Sequence, residues 1–80
     1  MISGESKLIA QCRKGELHAF TRIYDRYFKK IYDFIYYKTL NRESAEDITS
    51  TTFLKALEKV DTYDRTKGSV SSWLYRIAEN

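Results

Sequence analysis

The sequence contains one long amphipathic stretch, ELHAFTRIYDRYFKKIYDFIYYK, at residues 16–38. Its apolar residues recur at alternating intervals of three and four, the spacing that places side chains along one face of an α-helix. They are Leu17, Phe20, Tyr24, Tyr27, Ile31 and Phe34, with Ile23, Phe28 and Ile35 widening the same face. The pattern predicts a helix of about 34 Å that serves as the scaffold for the rest of the chain.

Two further helices are predicted on either side of this scaffold. A short leading helix covers residues 5–14, with Leu8, Ile9 and Cys12 on one face and Gly15 just after its end. The third helix opens at Ser44, with Asp47 three residues later in the arrangement of a capping box, and ends near Val60. The buried face of this third helix is expected to comprise Ala45, Ile48, Thr52, Phe53, Ala56 and Val60.

A polar loop at residues 61–68 leads to a fourth helix, which begins near Ser69 and is still running at Asn80. The chain has no proline and only three glycines, a composition that favours helices joined by short turns. We therefore expect an all-α fold, a compact bundle of three main helices plus a short leading helix. A chain that ends inside a helix, without a cap, also suggests a piece of a longer protein.

The bulk composition limits the possible environments of the protein. Eighty residues, of which 42% are hydrophobic, are enough for one folded domain. No apolar run approaches the roughly 20 residues of a membrane span, so no membrane insertion is expected. Cys12 is the single cysteine and cannot form an internal disulfide, which favours a cytoplasmic location.

The net charge of +3 suits an anionic partner, but the charge is unevenly distributed. Residues 1–40 carry eight basic and four acidic side chains, a sum of +4, whereas residues 41–80 carry six basic and seven acidic ones, a sum of −1. We therefore expect a separate partner to supply much of the affinity for any nucleic acid that the second half binds.

Leu54 stands apart from the buried face of the third helix. At about 100° per residue it points away from Ile48, Phe53 and Ala56, and its helical neighbours are polar or acidic. An outward leucine with an acidic rim fits a small docking patch for a basic partner surface. Single exposed leucines are also common on proteins that dock nothing there.

The loop and the fourth helix form a second candidate, built from Tyr63, Arg65, Lys67, Ser72, Trp73, Arg76 and Asn80. Cations that bind phosphates, together with an aromatic on which a base can stack, are the groups that hold an unpaired strand. Against this stand two ordinary alternatives, in which Trp73 belongs to the core and Tyr63 anchors the loop.

No pattern for enzymatic chemistry is found in the sequence. His18 has no second histidine or cysteine at ligand spacing, so neither a metal nor another cofactor is expected. Cys12 lies on an apolar face without a base nearby, which favours a structural role. No glycine-rich phosphate loop and no catalytic carboxylate pair is present, so we expect a protein that is not an enzyme.

The order of two motifs resembles bacterial sigma factors. Residues 45–57, AEDITSTTFLKAL, are followed after a short interval by residues 72–80, SWLYRIAEN. The similarity is greatest to the N-terminal promoter-melting domain, region 2, of the extracytoplasmic-function (ECF) group, and it covers nearly all of residues 1–80. The upstream-binding helix-turn-helix domain of that family is absent from this chain.

The resemblance implies two sets of contacts. Asp47, Ser50, Thr51, Leu54 and Leu57 would bind the clamp coiled coil of the largest subunit of core RNA polymerase. Tyr63, Arg65, Lys67, Ser72, Trp73, Arg76 and Asn80 would hold bases flipped out of the non-template strand of the promoter element nearest the start site. An anti-sigma factor is a further implied partner. The alternative is a sigma-like helical interaction module that binds polymerase or an anti-sigma partner without opening DNA.

Overall fold

A computed structural model describes residues 4–79, and the predicted site residue Asn80 lies outside that range. Four helices make up the fold: α1 (Gly4–Arg13), α2 (Leu17–Thr39), α3 (Arg42–Glu58) and α4 (Val70–Glu79). Two 3₁₀ turns, Val60–Thr62 and Arg65–Lys67, lie between α3 and α4. The predicted all-α bundle is confirmed, and the stretch expected to be a loop contains these two turns.

α2 is the centre of the bundle and contacts α1, α3 and α4. Its buried residues form a row at intervals of four: Ala19, Ile23, Tyr27, Ile31 and Ile35. The prediction that Leu17 belongs to this face is wrong, since Leu17 is 67% exposed. It lies in the first turn of α2, on the same side of the helix as the buried Ile35, so its exposure reflects its position at the end of the helix, which the neighbouring helices do not cover.

The connection from α2 to α3 is a tight turn without glycine. Leu40 adopts a left-handed conformation, with φ 52°, and its N–H donates to the Tyr36 carbonyl at the end of α2. The side-chain oxygen of Asn41 then accepts a hydrogen bond from the Ser44 N–H at 2.9 Å. Ser44 was predicted to be the N-cap, and that prediction is wrong because Asn41 caps the helix three residues earlier.

The buried face of α3 differs from the predicted one at one position. Ala45, Thr49, Thr52, Phe53 and Ala56 are buried, whereas Ile48 is 40% exposed, so the prediction that Ile48 is core is wrong. Thr49 takes its place, because its hydroxyl donates to the Ala45 carbonyl at 2.6 Å and is therefore satisfied inside the core. Hydrophobicity alone does not show this exchange.

Phe53 fixes the orientation of α3 on α2. Its ring centroid lies 4.9 Å from that of Tyr24, 6.2 Å from that of Phe28 and 6.5 Å from that of Phe20. Aromatic pairs at these separations contribute packing and a preferred geometry. With Phe53 directed into α2, the next residue in the chain is directed outward. None of the helices within residues 4–79 has both the length and the apolar character required to cross a membrane.

Candidate protein and nucleic-acid interfaces

The first candidate surface is the outward face of α3. Leu54 is 60% exposed although it follows Phe53, which is 2% exposed, so the predicted outward orientation of Leu54 is confirmed. Asp47, Ser50 and Thr51 are exposed on the same helix, and Leu57 is half-buried. The face therefore combines an exposed leucine and a half-buried one with hydroxyls and a carboxylate, which suits contact with a partner surface that has an apolar centre and basic groups.

The second candidate surface is built on residues 60–69, called here the recognition loop. Asp64 organises its middle, because its carboxylate accepts hydrogen bonds from the Thr66 hydroxyl at 2.6 Å and from the Thr66 N–H at 2.9 Å. These bonds, and to a lesser degree the charges of Lys67 and Arg13, hold the pKa of Asp64 below its usual value. The carboxylate is therefore ionised, and it accepts its hydrogen bonds from within the loop.

Tyr63 closes the recognition loop on itself. Its hydroxyl donates to the Gly68 carbonyl at 3.0 Å, and its ring lies 5.2 Å from the indole of Trp73, centroid to centroid. Partial burial of the ring raises the pKa of the Tyr63 hydroxyl. Tyr63 thus acts as a loop anchor, and Trp73 is half-buried against it. One side of each ring is already used for packing.

A cleft opens beside this aromatic pair. It is lined by Thr62, Tyr63, Asp64, Lys67, Gly68, Trp73 and Arg76. Four of the seven predicted nucleic-acid residues are therefore brought together: Tyr63, Lys67, Trp73 and Arg76. The Arg76 guanidinium lies over Gly68, since its Nη2 is 3.5 Å from where a Cβ on that glycine would be. The cleft thus combines an aromatic wall with two cations and the Asp64 carboxylate, groups that can stack on and hydrogen-bond a base, with the cations available to a phosphate.

Two further predicted residues, Arg65 and Ser72, are described by the structure and do not line this cleft. Arg65 is exposed and lines clefts on the side of the recognition loop that faces α1, together with Ser6 and Thr66. Ser72 lies in the first turn of α4, where its N–H donates to the Ser69 hydroxyl oxygen at 3.1 Å. Ser69 therefore caps α4.

Arg13 contacts the recognition loop and was not among the predicted residues. Its Nε donates to the Val60 carbonyl at 3.3 Å, and its Nη2 donates to the Tyr63 carbonyl. Its partners are main-chain atoms far away in sequence, so no side-chain pattern could reveal the contact. Within residues 4–79, no three His, Cys, Asp or Glu side chains are grouped as metal ligands would be.

The sigma-70 region 2 family matches residues 23–80, and the chain belongs to that family. The match includes both candidate surfaces. The family assignment agrees with the all-α fold and with the resemblance inferred from the motifs in α3 and α4.

Two curated relatives are similar over almost the whole chain. The ECF RNA polymerase sigma factor SigW of Bacillus subtilis is 42% identical over 74 residues, which is 92% of this chain and 39% of that protein. The ECF RNA polymerase sigma factor BldN of Streptomyces coelicolor is 39% identical over 74 residues, 92% of this chain and 28% of that protein. The chain thus spans well under half the length of these relatives. No solved structure gives a significant match.

Proposed function

We propose that this chain is the region 2 domain of an ECF sigma factor, extending over residues 1–80, and that it acts in the cell interior in transcription initiation. It binds core RNA polymerase through α3 and melts the promoter element nearest the start site by capturing flipped bases of the non-template strand. The partners are the clamp coiled coil of the largest polymerase subunit, promoter DNA and an anti-sigma factor. The mechanism requires no covalent chemistry by the chain.

The outward face of α3 supports polymerase binding. Leu54 is the exposed apolar centre of this face, and Asp47, Ser50 and Thr51 surround it with polar groups. Burying an exposed leucine at an interface contributes about 1.5–3 kcal/mol. Acidic neighbours select a basic partner surface and raise the rate of association with it.

The cleft beside Tyr63 and Trp73 supports base capture. Extruding a base costs a few kcal/mol of stacking and pairing energy. Stacking on an aromatic side chain returns about 1–3 kcal/mol per base, and hydrogen bonds add to this. Lys67 and Arg76 lie at the cleft and carry the positive charge needed for the strand. Trapping unstacked bases therefore favours separation of the strands.

The exposure of Leu54 beside buried Phe53 is the observation that carries the proposal, because it leaves a docking face on a well-packed helix. The test is co-purification of the chain with core RNA polymerase. Leu54→Asp is expected to abolish retention and to leave the far-UV circular dichroism spectrum unchanged. The matched control is Leu17→Asp, which changes an equally exposed leucine on α2 and should be retained. Equal retention of both variants would contradict the proposed docking face.

A second candidate function is an interaction module that binds polymerase or an anti-sigma partner and leaves DNA closed. The charge distribution favours it, since residues 41–80 sum to −1 although they contain the cleft. The two candidates make the same prediction for Leu54 and differ in their prediction for forked DNA.

A further inference from the structure

Arg13 joins the end of α1 to the recognition loop through two hydrogen bonds. Nε donates to the Val60 carbonyl at 3.3 Å, and Nη2 donates to the Tyr63 carbonyl. A planar guanidinium can direct two N–H groups at two acceptors at once, which a lysine ammonium does less well. Among residues 4–79, no carboxylate forms an ion pair with Arg13. Its charge is therefore directed at backbone carbonyls.

The two carbonyls belong to the first residue of the first 3₁₀ turn, Val60–Thr62, and to the residue that follows the turn. The second belongs to Tyr63, whose hydroxyl holds Gly68 and whose ring packs on Trp73. The main-chain position of Tyr63 thus decides where one wall of the cleft stands. Arg13 therefore influences the shape of the cleft indirectly, through the main chain of Tyr63.

α1 itself is firmly attached to α2, so it can serve as a support. Leu8, Ile9 and Cys12 are buried in the core. At the opposite end of α1 from Arg13, the Glu5 carboxylate accepts hydrogen bonds from the Tyr27 hydroxyl and, at 3.1 Å, from Arg26. The helix is therefore held at both ends, by α2 at its start and by the recognition loop at its finish.

We propose that Arg13 is a positioning residue that holds the recognition loop in the conformation that captures a base. This inference rests on the proposed function of the cleft. Arg13 acts through Tyr63 and does not line the cleft beside Trp73. Without its two hydrogen bonds the loop can adopt conformations in which the Tyr63 side of the cleft is displaced. Capturing a base must then also order the loop, and this loss of conformational entropy weakens binding.

The variant Arg13→Gln removes the charge and the paired donors while keeping a long polar side chain. Its control is Arg22→Gln, because Arg22 is exposed on α2 and makes no hydrogen bond or ion pair within residues 4–79. Trp73 is the only tryptophan, so its fluorescence reports on the cleft. Acrylamide quenching of Trp73 is expected to increase in Arg13→Gln and not in Arg22→Gln. Arg13→Lys should fall between wild type and Arg13→Gln.

Binding to forked DNA separates positioning from direct contact. The probes are fork oligonucleotides in which each base of the single-stranded non-template segment is replaced in turn by an abasic site, with core polymerase present. Arg13→Gln is expected to bind the intact fork about tenfold more weakly than wild type, as for the loss of a charge-assisted hydrogen bond. On the fork that lacks the captured base, the two proteins should bind equally. Retention by core polymerase should be unchanged.

Two results would overturn the inference. Equal binding of wild type and Arg13→Gln to the intact fork would show that the loop does not need Arg13. A loss of the same size on every fork, with the salt dependence reduced by about 0.7 in its logarithmic slope, would show direct contact with a phosphate. Failure of the proposed function is distinguishable from both, because wild type would then bind fork and duplex alike.

Discussion

The rings of Tyr63 and Trp73 lie with their centroids 5.2 Å apart and their planes inclined at 54°, which makes one aromatic contact between the recognition loop and α4. The contact attaches the middle of the loop to α4, in addition to the burial of Val60 and the hydrogen bonds from Arg13. The recognition loop and α4 therefore form the cleft together. Substitutions in either should affect both the free energy of unfolding and the affinity for an unpaired strand.

Tyr63→Phe keeps the ring and removes the hydroxyl that donates to the Gly68 carbonyl. The free energy of unfolding should fall by about 1 kcal/mol, the net value of a typical hydrogen bond. Affinity for forked DNA should fall with it, because the loop closes less firmly. Urea unfolding and fork binding measure the two effects. Tyr37→Phe is the control, since Tyr37 is 84% exposed, and a similar loss there would refute the role of the Tyr63 hydroxyl.

Gly68→Ala tests the backbone of the recognition loop. Gly68 has φ 146° and ψ 171°, a region open to glycine and strained for other residues by roughly 1–3 kcal/mol. The added Cβ would meet Arg76 and Ser72 at ordinary contact distances, so the cost comes from the backbone. Unfolding in urea should occur at lower denaturant and fork binding should weaken. Gly4→Ala, in the helix α1 where a Cβ meets nothing within 4 Å, should weaken neither.

Truncation of Phe53 and of its neighbour Leu54 should change the free energy of unfolding by very different amounts. Phe53→Ala is expected to cost about 3–5 kcal/mol, because a ring packed against three aromatic side chains is lost from the core. Leu54→Ala should change stability by less than about 0.5 kcal/mol, as for surface positions generally. Urea unfolding followed by circular dichroism compares them. Similar losses at both positions would mean that Leu54 is part of the core.

Stability should decline in alkaline solution because of Tyr27. Burial, reinforced by its hydrogen bond to Glu5, raises the pKa of Tyr27 to about 12. The unfolded chain loses this proton near the ordinary value of about 10. The stabilising effect is therefore complete below about pH 10 and is lost as the pH rises through about 12. Unfolding free energies measured across this range should fall less steeply in Tyr27→Phe, whereas Tyr37→Phe should follow wild type.

Helical periodicity predicted the architecture and the outward position of Leu54 because both depend on spacing within a single helix. It failed at Ile48, whose burial depends on how α3 is rotated against its neighbours, and at Leu17, which lies at the end of α2 where no helix covers it. The cap at Asn41 was missed because Ser44, three residues later, offers the same chemistry. Arg13 could not be found from sequence, since its acceptors are main-chain carbonyls 47 and 50 residues away.

Only the part of the cleft that lies on one helix could be predicted from helical spacing. Trp73 and Arg76 share a helix, so their proximity follows from spacing. Tyr63 and Lys67 join them through long-range contacts and local turns: the two 3₁₀ turns, the hydrogen bond of Tyr63 to Gly68, and the contacts of Tyr63 with Trp73 and Arg13. Arg65, between them in sequence, is turned toward α1 by the second of those turns. In short turns the direction of each side chain depends on the backbone conformation at that residue, and this conformation cannot be predicted from the composition of the loop.

The affinity of the complex between this chain and core RNA polymerase for forked promoter DNA, compared with the fully duplex form of the same sequence, tests base capture most directly. The fork should bind at least about tenfold more tightly, since it offers unstacked bases without the cost of melting and each stacked base contributes 1–3 kcal/mol. Equal affinities for fork and duplex, with polymerase still bound, would contradict base capture and leave only the interaction module.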